Sequence, residues 1–240
     1  MLGWFKAPEV KNFLKVDVHS HLLPGLDDGV KNMDESLAIL KSLKALGFDK
    51  IITTPHIISG YYPNNPRNIA ESLALLKKAL SANDIDLKVE AAAEYYVDEH
   101  FLKLVEKKDE LATFTGNHIL IETGFMTKPV FLKEIISQLL INGYQPILAH
   151  PERYVYFQQD YEAVEDLRTT GIKFQLNALS VLGYYSREAK KLATYLISQG
   201  MVELIGSDIH NEKQLQAYKT ALRHRLFQQC GQLPLLNNAL

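Results

Sequence analysis

The chain contains 240 residues, of which 47% are hydrophobic, so it is long enough and apolar enough to build a sizeable folded core. Its 26 basic residues are balanced by 28 acidic ones, and the formal net charge is −2. This balance gives no electrostatic support for nucleic-acid binding, which usually draws on a clearly basic surface.

The single cysteine limits both disulfide formation and catalytic chemistry. Cys230 has no second cysteine to pair with inside the chain, so we expect a reducing, cytoplasmic compartment. Phosphatases that use a cysteine nucleophile need an arginine six residues further on, where this chain has Leu236. Thiolate catalysis is therefore excluded.

The sequence contains no stretch that approaches the roughly 20 apolar residues of a membrane span. Residues 1–13 precede the first predicted strand as an N-terminal extension, and residues 1–7 are apolar with one lysine. We expect this segment to pack on the domain, with contact to a membrane surface as the alternative.

Short β-branched segments alternate with amphipathic segments of helical period along the whole chain. The predicted strands are residues 15–19, 50–54, 87–93, 118–121, 145–149, 172–175 and 202–206. The predicted helices are residues 34–46, 66–80, 99–107, 130–142, 161–170, 187–199 and 213–229. Seven strand–helix units predict one α/β domain over residues 1–240, with a parallel sheet and helices outside it.

Two architectures fit this alternation, an open doubly wound sheet and a closed barrel. An open sheet of this kind normally carries a glycine-rich phosphate turn after its first strand. Here the first predicted strand continues into His19-Ser20-His21, and the turn is absent. This difference favours the barrel.

Metal-compatible side chains follow six of the seven predicted strands. They are His19, His21, Asp28, His56, Glu94, Glu122, His150, Asp208 and His210. A single histidine at a strand end is more often structural than a ligand, but the carboxyl ends of parallel strands meet at one face. Carboxylates grouped there with only one clear cation nearby, Arg153, need metal ions to neutralise them.

The number and type of these donors predict two or three divalent ions that share a carboxylate, because one ion cannot use nine ligands. Manganese is expected, and iron or zinc is also compatible with imidazole and carboxylate donors. The sixth strand instead ends in Gln175 and Asn177, amides that can line a pocket but bind metals weakly. We assign structural or solvent roles to His100, His118 and His224.

Seven motifs occur in order along the chain, and they are Asp17-Val18-His19-Ser20-His21, Asp27-Asp28-Gly29, Thr54-Pro55-His56, Ala93-Glu94-Tyr95-Tyr96, Ile121-Glu122, Ala149-His150-Pro151-Glu152-Arg153-Tyr154 and Ser207-Asp208-Ile209-His210-Asn211. This ordered set resembles the polymerase-and-histidinol-phosphatase (PHP) family, and more closely its bacterial protein-tyrosine phosphatases of capsule and exopolysaccharide gene clusters. The resemblance implies a distorted seven-stranded (β/α)7 TIM-like barrel that holds three metal ions.

The resemblance also implies a role for each site residue. The first ion would be held by His19, His21, Glu94 and Asp208, the second by Glu94, Glu122 and His150, and the third by Asp28, His56 and His210. Arg153 would bind the phosphate. The implied activity is hydrolysis of phosphotyrosine by a metal-bound hydroxide. The implied partner is the tyrosine-rich tail of a bacterial tyrosine kinase that controls polysaccharide export.

Aromatic residues near the predicted ligands suggest a substrate rim. They are Tyr61, Tyr62, Tyr95, Tyr96, Phe125 and Tyr154. These rings could enclose a phosphotyrosine ring, and the alternative is that several of them only pack loops together. The Tyr61-Tyr62-Pro63 segment lies in a long loop and is the best candidate for a mobile lid.

Three other functions compete with the tyrosine-phosphatase hypothesis. The first is a phosphatase of the same fold that acts on nucleotides or on a small metabolite such as histidinol phosphate. The second is a metal-dependent amidohydrolase, although those enzymes commonly carry a bridging lysine at the fourth strand end, where this chain has Glu122. The third is a non-catalytic binding module, which would be expected to have lost some of the ligands.

Overall fold

The computed structural model describes residues 12–240 and contains nine short strands and nine α-helices over that range. The strands are β1 Val16–Asp17, β2 Lys50–Thr53, β3 His56–Ile57, β4 Lys88–Ala91, β5 Glu94–Tyr96, β6 His118–Glu122, β7 Gln145–Ala149, β8 Lys173–Asn177 and β9 Leu204–Gly206. The helices are α1 Met33–Ala45, α2 Pro66–Ala82, α3 Glu99–Lys107, α4 Leu132–Ile141, α5 Val155–Gln158, α6 Tyr161–Arg168, α7 Arg187–Ser198, α8 Glu212–Ala221 and α9 Arg225–Cys230.

All strand pairs are parallel, and the strands form two sheets with the orders β1-β2-β4 and β3-β5-β6-β7-β8-β9. β2 and β4 fall within the predicted second and third strands, residues 50–54 and 87–93, whereas β3 and β5 follow them after a short interruption and lie outside the predicted bounds. Pro55 lies at the first interruption, where it cannot donate a hydrogen bond to the neighbouring strand. Seven of the nine strands therefore overlap the seven predicted ones, and β3 and β5 are two short strands that the sequence did not predict.

The barrel closes between the last strand and the first. Ser20 and Ile209 form a parallel bridge, the His21 N–H donates to the Ile209 carbonyl at 3.0 Å, and the Asp208 N–H donates to the His19 carbonyl at 2.7 Å. This closure brings the HxH motif of the first strand beside the DxH motif of the last. The two motifs are nearly 190 residues apart in the chain.

Asn237 links the same two strands at the opposite end of the barrel, where β1 and β9 do not pair directly. Its buried side chain accepts a hydrogen bond from the Ile205 N–H at 2.9 Å and donates to the carbonyls of Val16 and Ile205 at 2.9 and 2.8 Å. Leu236 and Leu240 pack against a small hydrophobic cluster that includes Val16, Ile52 and Leu204. The C-terminal segment thus completes the barrel wall.

We expect Asn237→Ala to lower the free energy of unfolding by about 2–4 kcal/mol, because it leaves several buried backbone groups without partners. The matched control is Asn238→Ala, whose exposed amide bonds to Lys15 and Phe13 and should contribute less than about 1 kcal/mol. Urea unfolding of both variants measures the difference. Equal losses would contradict the proposed closure by Asn237.

The prediction of one continuous last helix is wrong. Residues 213–229 form two helices, α8 and α9, separated at His224, which has extended backbone angles and caps α9 by accepting from the Leu226 N–H at 3.2 Å. His224 is therefore a capping residue and not an interior helix residue. Phe13 packs on Phe227 with ring centroids 5.0 Å apart.

Two expectations about the rest of the chain can be compared with this fold. The predicted N-terminal extension falls almost entirely on residues 1–11, which lie outside the described part of the chain. Within residues 12–240, none of the helices has the length and apolar character needed to span a bilayer.

Cys230 is buried in the core, and burial raises the pKa of its thiol to about 12, which agrees with the exclusion of thiolate catalysis.

Candidate metal centre

The barrel brings all nine predicted donor side chains together at the carboxyl ends of its strands. They form four overlapping groups in which the potential ligand atoms of each group lie within 4.8 Å of one another. Most of the nine are buried, and the Asp28 side chain is the most accessible at 55% exposed. The clustering at one face follows from the parallel strand order, because every strand ends on the same side.

Glu94 lies at the centre of this cluster. Its Oε2 atom is 3.1 Å from His19 Nε2, 3.4 Å from His21 Nε2 and 3.2 Å from His56 Nδ1. Its Oε1 atom is 3.0 Å from His150 Nε2. The two carboxylate oxygens therefore face different imidazoles, as a carboxylate shared between two metal sites would.

Asp208 presents one oxygen to the cluster and the other to hydrogen-bond donors. Oδ1 is 3.3 Å from His19 Nε2 and 3.4 Å from His21 Nε2. Oδ2 accepts from Arg153 Nη1 and from Asn177 Nδ2, both at 2.7 Å. Because Oδ2 is already occupied, Asp208 has a single oxygen available as a ligand.

The remaining donors surround the accessible side of the cluster. Asp28 Oδ1 lies 3.5 Å from the Nε2 atoms of both His56 and His210. Glu122 Oε1 is 2.9 Å from His56 Nδ1, and Glu122 Oε2 is 4.0 Å from His150 Nε2. His56 therefore lies between two donor groups, one around Asp28 and one around Glu94 and Glu122.

The donor arrangement fits divalent cations. His19 Nε2 and His21 Nε2 lie 3.1 Å apart, so two buried ring nitrogens point to the same place beside two carboxylates. His150 and Asp208 have left-handed backbone angles, with φ of 34° and 52°, which are costly for residues other than glycine. Such strain is typical of positions that hold functional side chains in place.

The imidazoles, carboxylates and guanidinium of the cluster strongly shift one another's pKa values. Burial lowers the pKa of His19, but the carboxylates of Glu94 and Asp208 outweigh this effect and raise the value to about 9. Burial opposes ionisation of Glu94, yet the surrounding imidazoles hold its pKa well below the usual range. Burial and the Arg153 guanidinium lower the pKa of His150 to about 4. Since metal ions bind neutral imidazole, metal uptake should release protons and weaken at low pH.

Residues that the sequence did not single out as ligands orient the first two histidines. Asp27 Oδ2 lies 2.7 Å from His21 Nδ1, and Gln175 Oε1 lies 2.7 Å from His19 Nδ1. Each contact leaves the Nε2 atom of the histidine facing the cluster. Asp27 is adjacent to the predicted ligand Asp28, and an acidic residue next to a ligand was the feature of the sequence that could have indicated its role.

We expect Asp27→Ala to weaken metal binding by about 10–100-fold, because His21 loses the acceptor that fixes its ring orientation. Asp27→Asn retains an oxygen acceptor and should have a smaller effect. The control is Asp34→Ala, an exposed acidic residue of α1. Metal content after dialysis, together with calorimetric titration, measures the change. Unchanged affinity in Asp27→Ala would contradict this role.

Two glycines allow the backbone to pack directly against the histidines. A Cβ atom on Gly29 would lie 2.2 Å from the His21 carbonyl oxygen and 2.6 Å from the His21 Cβ. A Cβ atom on Gly206 would lie 2.5 Å from the His19 Cβ and 2.6 Å from Gln175 Nε2. No larger residue fits at either position without moving a histidine.

Arg153 is held at the edge of the cluster by an ion pair and two aromatic rings. Besides its bond to Asp208, its guanidinium lies 4.8 Å from the ring centre of Phe125 and 4.1 Å from that of Tyr185. The Tyr185 hydroxyl accepts from Asn177, which also donates to Asp208. Tyr185 and Asn177 therefore position the arginine and the carboxylate together, and sequence reasoning had not identified Tyr185.

The prediction that Tyr95 belongs to the substrate rim is wrong. Its side chain is only 1% exposed, its hydroxyl accepts from the Ala112 N–H at 2.7 Å, and its ring stacks on Phe101 with centroids 4.8 Å apart. Successive residues of a strand point to opposite faces, so Glu94 facing the barrel interior sends Tyr95 outward into the helix layer. Tyr95 is a core residue.

Of the other predicted rim residues, Tyr96 is half-buried and its contact with substrate stays a prediction, and the remaining four divide into two groups. Tyr154 is fully buried, and its hydroxyl accepts from the Thr123 N–H at 3.1 Å, so its assignment to the rim is also wrong. Tyr61 is 81% exposed, and Tyr62 stacks on His56 with ring centroids 5.7 Å apart. Together with Phe125, these two tyrosines lie where a substrate could meet them, and their contact with substrate stays a prediction.

A buried carboxyl beneath the arginine should make stability depend on pH. Glu152 Oε1 accepts from Ser180 Oγ at 2.6 Å and from the Asn177 N–H at 3.0 Å, whereas Oε2 has no partner. Burial raises the pKa of Glu152 from 4.5 to about 7, although these hydrogen bonds oppose the rise. The folded chain therefore holds this proton more tightly than the unfolded chain does.

The stabilisation from protonated Glu152 should be complete below about pH 4.5 and should disappear as the pH rises through about 7, with a loss of about 3 kcal/mol. We expect Glu152→Gln to lack this part of the pH dependence. Urea unfolding of chelator-treated wild type and variant at about pH 5 and about pH 8 measures it. A constant difference between the two proteins across that range would contradict the assignment.

A closed parallel barrel with a cluster of imidazole and carboxylate donors at its carboxyl face defines the class of metal-dependent barrel hydrolases. Within that class the chain belongs to the CpsB/CapC family of capsular polysaccharide synthesis, whose family model matches residues 15–232. The predicted family and the predicted barrel fold are thereby confirmed.

Several known proteins are similar to this chain. Tyrosine-protein phosphatase YwqE of Bacillus subtilis is 29% identical over 198 residues, which cover 82% of this chain and 78% of that protein. Tyrosine-protein phosphatase CpsB of Streptococcus pneumoniae is 29% identical over 201 residues, covering 82% and 83%. A crystal structure from work on these two proteins, described as unique metal-dependent tyrosine phosphatases, has a TM-score of 0.80 at 26% identity over 90% of both chains. An amidohydrolase from Mycoplasma synoviae shares the fold alone, with a TM-score of 0.58 at 14% identity over 93% of this chain and 83% of that one.

Proposed function

We propose that this protein is a metal-dependent protein-tyrosine phosphatase that acts in capsular polysaccharide synthesis. The observation that carries this proposal is the meeting of nine imidazole and carboxylate side chains at one end of the barrel, with Arg153 anchored at their edge. Metal ions beside a fixed cation suit a reaction at a phosphate group. The family membership and the tyrosine-phosphatase relatives support the same activity.

Three donor sets would hold the metal ions. They are His19, His21, Glu94 and Asp208 for the first, Glu94, Glu122 and His150 for the second, and Asp28, His56 and His210 for the third. Glu94 would be shared between the first two sets because its oxygens contact different imidazoles. Bound ions, with manganese expected and iron or zinc as alternatives, would supply Lewis acidity and lower the pKa of a coordinated water.

The residues of the chain then position the phosphate and balance its charge. Arg153 uses one nitrogen for Asp208, and the other N–H groups of its planar guanidinium remain for phosphate oxygens. The two flanking rings hold the guanidinium in place before substrate arrives. Phenolate is a better leaving group than an alkoxide, so the reaction does not depend on a strong general acid.

The substrate in this proposal is a protein that carries phosphotyrosine, and the partner is the tail of a bacterial tyrosine kinase in the cytoplasm. Tyr61, Tyr62 and Phe125 would border the tyrosine ring, where each stacked pair contributes about 0.5–1.5 kcal/mol. The exposed position of Tyr61 and the contact of Tyr62 with His56 support a lid formed by their loop.

The test is phosphate release from a phosphotyrosyl peptide, compared with a phosphoseryl peptide and histidinol phosphate. The protein is stripped with chelator and reloaded with manganese, iron or zinc. We expect release that requires metal and is selective for phosphotyrosine. Release from histidinol phosphate alone would replace the substrate with a small metabolite. No release with any of the metals would favour a non-catalytic binding module.

A further inference from the structure

A cleft of about 300 Å³ lies directly beside Arg153, between α5 and the start of α7. Its walls include Phe125, Arg153, Val155, Gln158, Tyr185 and Glu188. The loops after β6, β7 and β8 therefore all contribute to it. The function proposed above uses two of its walls, Arg153 and Phe125, and assigns nothing to the space between them and α7.

Arg153 is a shared wall of the cleft and of the metal centre. One guanidinium nitrogen bonds to Asp208, and the rings of Phe125 and Tyr185 that enclose the guanidinium also line the cleft. A phosphate bound at Arg153 would therefore place the neighbouring part of its carrier at the entrance of this cleft. The cleft is continuous with the proposed active site.

The chemistry of the cleft favours an uncharged aromatic occupant. Its lining cation, Arg153, is the group that the proposed function assigns to the phosphate of the substrate, so a second anionic group that entered would lose its water without gaining a free counter-charge. Glu188, at the exposed outer edge, disfavours acidic groups. Phe125, Tyr185 and Val155 offer apolar and aromatic surface on which a ring can stack.

The surface around the cleft has the same character. Met126 and Tyr184, the chain neighbours of Phe125 and Tyr185, are 72% and 39% exposed, and Phe125 itself is 40% exposed. Exposed apolar side chains next to a cleft are typical of surfaces that bind another chain. A peptide that leaves the metal centre over Arg153 would cover these residues.

We propose that this cleft binds an aromatic side chain of the substrate protein that lies close in sequence to the phosphotyrosine. The cleft thus selects among phosphotyrosine sites by their neighbouring residue. This specificity role rests on the proposed phosphatase function, because the phosphotyrosine must first be bound at the metal centre.

The test uses metal-loaded protein and short phosphotyrosyl peptides of alanine and glycine, in which one position at a time is changed to phenylalanine, alanine, glutamate or lysine. We expect phenylalanine at one position to raise kcat/KM by about tenfold over alanine, mainly through KM, because one ring is buried. Free phosphotyrosine reports the basal activity. Equal kcat/KM for all flanking residues would overturn the proposal.

Two variants test whether the preference for phenylalanine beside the phosphotyrosine arises in the cleft. Val155→Trp fills it and should abolish the phenylalanine preference, whereas the matched control Val130→Trp, at a residue 97% exposed and outside the cleft, should retain it. Glu188→Lys changes only the outer edge and should raise kcat/KM for the glutamate peptide by about threefold. A phenylalanine preference that Val155→Trp leaves unchanged would overturn the proposal.

Binding of the same peptides with a non-hydrolysable phosphonate in place of the phosphate separates the two hypotheses. Phenylalanine-dependent binding that Val155→Trp removes, without hydrolysis of any phosphotyrosyl substrate, would overturn the phosphatase function and retain the cleft as a peptide site. Hydrolysis of free phosphotyrosine, with peptide binding that ignores the flanking residue, would overturn the cleft alone.

Discussion

Glu94→Gln should reduce metal-dependent phosphatase activity by at least about 1000-fold, which corresponds to about 4 kcal/mol in the activation barrier. Both oxygens of Glu94 contact imidazoles of the cluster, His19, His21 and His56 from one side and His150 from the other. A neutral amide offers one weak oxygen donor in place of the charged carboxylate that we propose is shared between two ions. Two donor sets are therefore damaged by a single substitution.

Metal content should fall with activity in this variant. We expect Glu94→Gln to lose at least one ion per chain after dialysis, measured by elemental analysis, while its circular dichroism spectrum stays that of the wild type. Glu90→Gln is the matched control, since Glu90 lies in the adjoining strand β4 and its carboxylate pairs with Lys50 and Lys88 outside the cluster. Full metal content and full activity in Glu94→Gln would refute the central role of this carboxylate.

Arg153→Ala should lower kcat by about 100-fold or more without changing the amount of bound metal, because in the proposed mechanism the arginine stabilises charge on the phosphate and does not serve as a metal ligand. Arg153→Lys should recover only part of the rate, since an ammonium group cannot bind two phosphate oxygens in the same plane. Phosphate release and metal analysis on the same samples distinguish loss of catalysis from loss of the metal centre.

Arg168→Ala provides the control for Arg153→Ala. Arg168 also combines an ion pair, with Glu203, and an aromatic contact, with the ring of Phe174 at 5.7 Å, but none of its partners is a donor of the cluster. We expect this variant to lose stability without a specific loss of kcat. Unaltered turnover in Arg153→Ala, or an equal loss in Arg168→Ala, would remove Arg153 from the mechanism.

The strand–helix alternation and the strand ends that carry the donors were predictable because they depend on local patterns. The strand β7 and the helix α3 have the same bounds in the structure as in the sequence-based prediction. Parallel alternation then places the carboxyl ends of all strands on one face, so residues as far apart in sequence as His19 and His210 could be assigned to one site. Neither step required knowledge of a long-range contact.

The orientation of individual side chains was less predictable. The aromatic pair Tyr95 and Tyr96 follows Glu94 directly, and only the pleat of β5 decides that Tyr95 enters the core. Tyr154 is likewise adjacent to Arg153, but its hydroxyl satisfies the backbone of Thr123 inside the domain. Proximity in sequence to a ligand therefore overestimated the aromatic rim.

The sequence by itself predicted the strand–helix alternation, favoured the barrel over an open sheet, and marked the nine donor side chains and Arg153, because strand periodicity and the chemistry of each side chain are local properties. The tertiary structure alone decided which groups support them. Asp27 and Gln175 orient His21 and His19, Tyr185 holds Arg153, and Asn237 joins β9 to β1, which lies more than 200 residues before it in the chain. These contacts exist only once the barrel has closed, since closure brings the first and last strands together and fixes the side-chain directions around the site.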